Sequence, residues 1–210
     1  PVDGGANGTL KSMHFTGSNL TAWGAALAAE LSNGCPFDAS KYGGITFYAK
    51  GTSTVFEGTD KLLVLVGNPE YIPTENGGFC NDSPSLMTPD PACYARHRTT
   101  ITLTADWTKY VINWSDLQAP SYYQTGHAFG PDRVRDIVFN ASGPSDVTGM
   151  PAGTPATFDI YIDELAFVPA GTPSSLGPAG SSSGGSGGAS GGTGGASAGS
   201  GGASAGSGGT

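Results

Sequence analysis

Two segments far apart in the chain alternate with a strict period of two, and this alternation limits the fold more than any other feature. Within Gly44–Lys50, the residues Ile45, Phe47 and Ala49 fall on one side and Thr46, Tyr48 and Lys50 on the other. Within Thr157–Phe167, Phe158, Ile160 and Ile162 oppose Asp159, Tyr161 and Asp163. Successive side chains of a strand point to opposite faces, so each pattern describes a strand with one side in a core and one in water. A helix would scatter both sets around its circumference. The water-facing sets hold aromatic rings beside hydrogen-bonding groups, which suits a polar ligand with apolar faces, such as a sugar.

Ser12–Phe15, Ala22–Ala26, Lys61–Gly67, Arg98–Thr104, Thr108–Asn113 and Val134–Asn140 also read as strands, with turn residues between them. Together they predict an all-β chain, a β-sandwich of jelly-roll type. Helical signals are weak. Ala25–Leu31 is alanine-rich and is read as a short helical turn at most, stopped by Ser32-Asn33-Gly34, and Ser115–Gln118 as one turn after its strand.

The chain divides by composition. No charged side chain follows Glu164 and no large apolar one follows Leu176, so the globular part is placed at residues 1–169 and a Gly/Ser/Ala-rich segment at 170–210. From Gly187 that segment repeats every seven residues in a GGASxGx pattern. Glycine loses the most backbone freedom on ordering, and nothing here can fill a core, so the expected role is a flexible linker. The other reading is an ordered assembly segment in which small side chains let backbones pack closely.

Charge narrows the partners. With 9 basic against 17 acidic side chains and no basic stripe, nucleic acid is not an expected partner. No apolar run is long enough to span a membrane as a helix. The chain opens on Pro1, and no signal peptide is seen, so it reads as a mature product or an excerpt. Few lysines, abundant Thr, Ser, Gly and Asn, and a cysteine pair in a loop point compositionally to an extracellular or cell-surface protein. Cys80 and Cys93 flank a Pro/Gly/Asp-rich loop. A disulfide there, worth roughly 3 kcal/mol if unstrained, is preferred to a metal site, because no CxxC or paired His spacing accompanies it. Cys35 is left over, as a buried thiol or a bridge to a partner.

Trp23-Gly-Ala-Ala-Leu, the Phe37–Lys50 segment, the Cys80–Cys93 loop, Leu103–Gln118 and Phe158–Phe167 together, in that order, resemble a carbohydrate-binding module. The type is the galactose-binding-like jelly roll, similar to family 11 modules and to modules of secreted bacterial polysaccharide-degrading enzymes. The resemblance covers roughly Ser12 to Pro169. It implies non-catalytic glycan binding and a structural calcium held at Asp163 and Glu164, which match the closing acidic pair of the family. One departure stands out. Such modules usually begin with an acidic strand that helps ligate the calcium, and Pro1–Gly8 shows no convincing strand of that kind. The first strand is therefore expected to be missing or supplied by a neighbour, and an unpaired edge would invite strand addition and filaments.

Sugar binding needs rings for pyranose C–H surfaces and planar polar groups for hydroxyls. Tyr48, Asp159 and Tyr161 are candidates from the alternation. His97 and Arg98 lead out of the cysteine loop into a strand, and Trp23 is as suited to a core as to a ligand. Tyr122, Tyr123 and His127 lie in a loop resembling the one at the mouth of the family's cleft. Trp107, Tyr110, Ile112 and Trp114 are expected mainly in the core, and Lys50 and Thr46 on a solvated surface. Catalysis is not expected. Strand geometry puts Asp159 and Asp163 about 13 Å apart with no opposing acid cluster, no Gly-x-Ser-x-Gly elbow is present, and three histidines form no metal triad. The expected function is non-catalytic polysaccharide or glycan binding. The alternative is a structural subunit of an extracellular filament or surface layer, assembled through the Gly-rich segment or an unpaired sheet edge.

Overall fold

The computed structural model describes residues 1–21, 24–55, 58–81, 93–120, 128–143 and 155–177. Ten strands run β1 (Val2–Asp3), β2 (Lys11–Leu20), β3 (Gly24–Glu30), β4 (Tyr42–Val55), β5 (Gly58–Thr59), β6 (Lys61–Gly67), β7 (His97–Thr102), β8 (Thr108–Asn113), β9 (Asp136–Ser142) and β10 (Ala156–Pro169). They form two antiparallel sheets. The six-stranded sheet has the order β1-β2-β10-β4-β5 with β8 also on β4, and the four-stranded sheet has the order β3-β9-β6-β7. From β2 to β4, and again from β7 to β10, consecutive strands switch sheets, giving the expected β-sandwich. Among the described residues, no helix is long and apolar enough to cross a membrane.

The alternation read from the sequence decides which side of each strand is buried. Ile45, Phe47 and Ala49 of β4 and Phe158, Ile160 and Ile162 of β10 fill the space between the sheets, against Leu62, Val64 and Val66 of β6 and Ile137, Phe139 and Ala141 of β9. Phe47 meets Phe139 edge-on across the sandwich, with ring centres 4.9 Å apart. Tyr110 is fully buried, and its hydroxyl donates to the Thr102 carbonyl at 2.7 Å, so the one polar atom it brings into the core is matched.

Three expectations about elements need correction. The alanine-rich Ala25–Leu31 segment is strand, not helical turn. Its neighbour β9 pairs with it residue by residue, from Gly24↔Ser142 to Glu30↔Asp136, and this pairing overrides alanine's helical preference. The N-terminus does form a strand, though only the two residues of β1, paired as Val2↔Ser12 and Asp3↔Lys11. The ordered sandwich also continues past 169. Ser175 pairs with Val111, and Asn113 Nδ2 donates to the Thr172 carbonyl at 2.9 Å and to Ser174 Oγ at 2.8 Å. One turn at Trp114–Asp116 follows β8, close to the turn expected there, and is a 3-10 turn. Cys80 and Cys93 form a disulfide, and Cys35 is free and exposed.

Candidate functional site

Three strands lay a row of side chains across the outer face of the larger sheet. Tyr161 of β10 sits opposite His14 of β2 on one side and Lys50 of β4 on the other. Neighbouring strands lie about 4.8 Å apart, so the row is a ladder rather than a scatter. The His14 and Tyr161 rings stack at 4.1 Å with 6° between planes. Lys50 Nζ lies 5.0 Å from the centre of the Tyr161 ring and 4.9 Å from that of Trp107. Trp107 also meets Tyr161 edge-on at 6.3 Å.

Trp107 belongs to the loop between β7 and β8, and Gly51 fixes that loop. The Gly51 N–H donates to the Thr104 carbonyl at 2.9 Å, and Thr104 and Thr108 hydroxyls share a hydrogen bond of 2.6 Å. Gly51 has φ +141°, and a Cβ there would lie 2.1 Å from the Asp159 carbonyl, so only glycine fits without a shift.

Beside the ladder lies a cavity of about 400 Å³ lined by Asp3, Lys50, Thr52, Asp159 and Tyr161, among others. This falls within the range of about 300–1,000 Å³ usual for small-ligand sites. Asp159 reaches His14 Nε2 at 2.6 Å, and Asp3 pairs with Lys11. Tyr48, two residues from Lys50 on the same face, makes no ring contact or hydrogen bond among the described residues and is half-buried.

The candidate residues divide among three places. Tyr48, Asp159 and Tyr161 share the outer face of the larger sheet. Tyr161 cannot offer a ring face to a sugar as expected, because His14 covers one side and Lys50 lies over the ring. Its edge remains. Arg98 lies in β7 of the other sheet, where its backbone pairs with Gln118, so it is remote from this face. His97 does not reach a surface. It is 8 % exposed and packs between the rings of Tyr71, at 5.3 Å, and Phe129, at 5.6 Å. Burial disfavours the charged ring and holds its pKa below the ordinary value. Trp23, Tyr122, Tyr123 and His127 lie outside the described residues. Sequence reasoning missed His14 and assigned Trp107 mainly to the core. Trp107 instead stands over Lys50.

Asp163 and Glu164 meet the N-terminal loop. Asp163 Oδ2 accepts from the Ala6 N–H at 2.8 Å and from the Thr9 hydroxyl, and Oδ1 accepts from the Glu164 N–H at 2.8 Å. Desolvation pushes the Asp163 carboxyl up, but these hydrogen bonds outweigh it and hold it below the usual carboxylate value. Glu164 has φ 51° and accepts from Asn7 Nδ2 at 3.0 Å. A Cβ on Gly5 would fall 1.9 Å from Thr9 Oγ1, 2.3 Å from Asp163 Oδ2 and 2.8 Å from the Lys11 carbonyl, so three oxygens converge on one point. Carboxylate, hydroxyl and carbonyl oxygens are the donors a hard cation takes. No group of three or more His, Cys, Asp or Glu gathers among the described residues.

No family model and no curated protein matches the chain. Solved structures do. The family 11 carbohydrate-binding module of the cellulosomal cellulase Lic26A-Cel5E of Clostridium thermocellum is 14% identical, with 79% of this chain and 91% of that one covered at a TM-score of 0.44. The family 30 module of the cellulosomal cellulase Cel9D-Cel44B of Clostridium thermocellum is 16% identical, with coverages of 82% and 83% at 0.47. A family 11 module of that organism, solved in complex with a β-1,3-1,4-mixed-linked tetrasaccharide, is 12% identical, with coverages of 79% and 92% at 0.40. At these identities the likeness is one of fold.

Proposed function

We propose that this domain is a non-catalytic glycan-binding module that works at the outer face of its larger sheet. The observation that carries the reading is the His14–Tyr161–Lys50–Trp107 ladder with the Tyr48 ring beside it, bordering a cavity edged by Asp3, Thr52 and Asp159. Tyr48 supplies an unoccupied ring for pyranose C–H surfaces. The Tyr161 edge, Asp159, Thr52 and Lys50 supply hydrogen bonds to hydroxyls. Binding needs no covalent step. The solved structures of similar fold include a module bound to a tetrasaccharide, which agrees with this use of the fold.

Calcium at Asp163 and Glu164 is part of the proposal as a structural element. Thr9 Oγ1 and the Lys11 carbonyl stand beside Asp163 to complete the oxygen set, and the ion would pin the N-terminal loop to the end of β10. An extracellular setting is likewise proposed. Residues 178–210, most of the Gly-rich segment that is one of the two assembly routes of the structural-subunit reading, lie outside the described residues.

The test is retention of the full chain on a panel of insoluble and soluble polysaccharides, beside a Tyr48→Ala variant. Retention of the native chain on one class, lost in the variant, is expected. No retention of a folded chain on any member would overturn the reading.

A further inference from the structure

On the outer face of the larger sheet the acids are engaged and two of the lysines are not. Each acid has its own donor. Asp3 takes Lys11, Asp159 takes His14, and Asp163 takes the Thr9 hydroxyl and two backbone N–H groups. Two lysines have no such partner. Lys50 and Lys109 form no ion pair or hydrogen bond among the described residues, whereas Lys61 donates to Thr102 Oγ1 at 2.6 Å. Lys109 of β8 is the direct cross-strand neighbour of Tyr48, so their Cβ atoms lie about 5 Å apart. Lys50 lies two residues along β4 from Tyr48 on the same side, about 7 Å away. Among the described residues, the unpartnered Tyr48 ring therefore has Lys109 beside it on β8 and Lys50 further along β4, while Asp163, its neighbour on β10, is engaged by the N-terminal loop.

Lys50 is also held rather than loose. The rings of Trp107 and Tyr161, which meet edge-on, form a corner around its Nζ at 4.9 and 5.0 Å, which restrains the side chain but leaves its N–H donors without an oxygen among the described residues. A neutral hydroxyl satisfies such a donor weakly. An anionic oxygen makes a shorter and roughly twice stronger bond. This arrangement is local, because the chain as a whole carries a net charge of −8 and repels anions at long range.

We propose that the preferred ligand of this face is an anionic polysaccharide, a sugar ring seated on Tyr48 with its carboxylate or sulfate oxygens between Lys50 and Lys109. The proposal rests on the glycan-binding reading and names its substrate class. Carboxylate and sulfate share the recognition chemistry, and the experiment separates them.

The experiment is calorimetric titration of the full chain with oligogalacturonate, sulfated dextran oligomers and a neutral mixed-linked β-glucan oligosaccharide, at low and high salt. The expected result is binding of one anionic ligand at least about ten-fold tighter than the neutral one at low salt, with the margin shrinking as salt screens it. Lys50→Gln should weaken that binding about ten-fold and Lys109→Gln about three-fold, with melting temperatures within a few degrees of the native chain. Tighter binding of the neutral oligosaccharide, insensitive to both substitutions, would overturn this inference and leave the glycan-binding reading standing. Anion binding untouched by either substitution would also overturn it. Binding to none of the three, by a chain that fails the polysaccharide panel as well, would remove both.

Discussion

The ammonium of Lys50 lies 4.9 Å from the ring centre of Trp107, a residue from a loop more than fifty positions later, and 5.0 Å from that of Tyr161. This contact ties the β7–β8 loop to the middle of the sheet. Trp107→Ala should therefore act mainly on the ligand face. A stability loss of about 1 kcal/mol, typical of an exposed cation–π contact with its packing, is expected together with a drop in glycan affinity of about ten-fold. Urea melts paired with titration calorimetry separate the two effects.

The two tyrosines of the face should respond differently. Tyr48 has no ring partner, so Tyr48→Ala should weaken binding with little change in melting temperature. Tyr161 is stacked on His14 at 4.1 Å, so Tyr161→Ala should cost stability as well. Tyr161→Phe keeps the stack and removes only the hydroxyl. If its binding falls while its melting temperature holds, the edge of Tyr161 contacts the ligand. Unchanged binding in both Tyr48→Ala and Tyr161→Phe would remove this face from consideration.

Phe47→Ala should destabilise the domain by about 3–5 kcal/mol, because it removes a fully buried ring that packs on Phe139 and Tyr110. Denaturant unfolding measures this directly. A loss under about 1 kcal/mol would mean that the two sheets do not pack through this residue.

His97 gives the fold an acid limit. Its pKa is lowered by burial from the ordinary 6.5, so the unfolded chain binds a proton that the folded chain resists. Stability from this residue is complete above about pH 6.5 and declines as pH falls below it, levelling off below the folded pKa. A protonated ring would also bury an Nδ1–H with no acceptor, since Nδ1 is buried and unpartnered. Urea midpoints measured from pH 7.5 to 5 should fall in the native chain and fall less in His97→Gln.

Calcium should raise the melting temperature of the native chain, chelator should reverse the gain, and Asp163→Asn should abolish the response. A native chain indifferent to calcium would leave Asp163 as a hydrogen-bonding brace for the Ala6–Thr9 turn.

The strands were legible wherever period two was strict. Phe47 and Ile160 could be assigned to the core because their neighbours Tyr48 and Tyr161 were polar enough to mark the other side. The segment Gly24–Glu30 was not legible, since alanine favours a helix and only pairing with β9 settles it. The site was half legible. Tyr48, Asp159 and Tyr161 share a face because they share a parity along their strands. His14 and Trp107 join them through cross-strand register and a loop hydrogen bond at Gly51, relationships between residues distant in the chain that no local pattern encodes. His97 shares the parity of the buried Ile101, so its inward direction follows from the same alternation that turns Arg98 outward.

The most direct test of the central claim is an amide chemical-shift map of the full chain titrated with the polysaccharide fragment it retains. The account predicts that shifts concentrate at Tyr48, Lys50, Trp107, Asp159 and Tyr161. Shifts centred instead on the outer face of the smaller sheet, around Arg98 and Thr100, would contradict it.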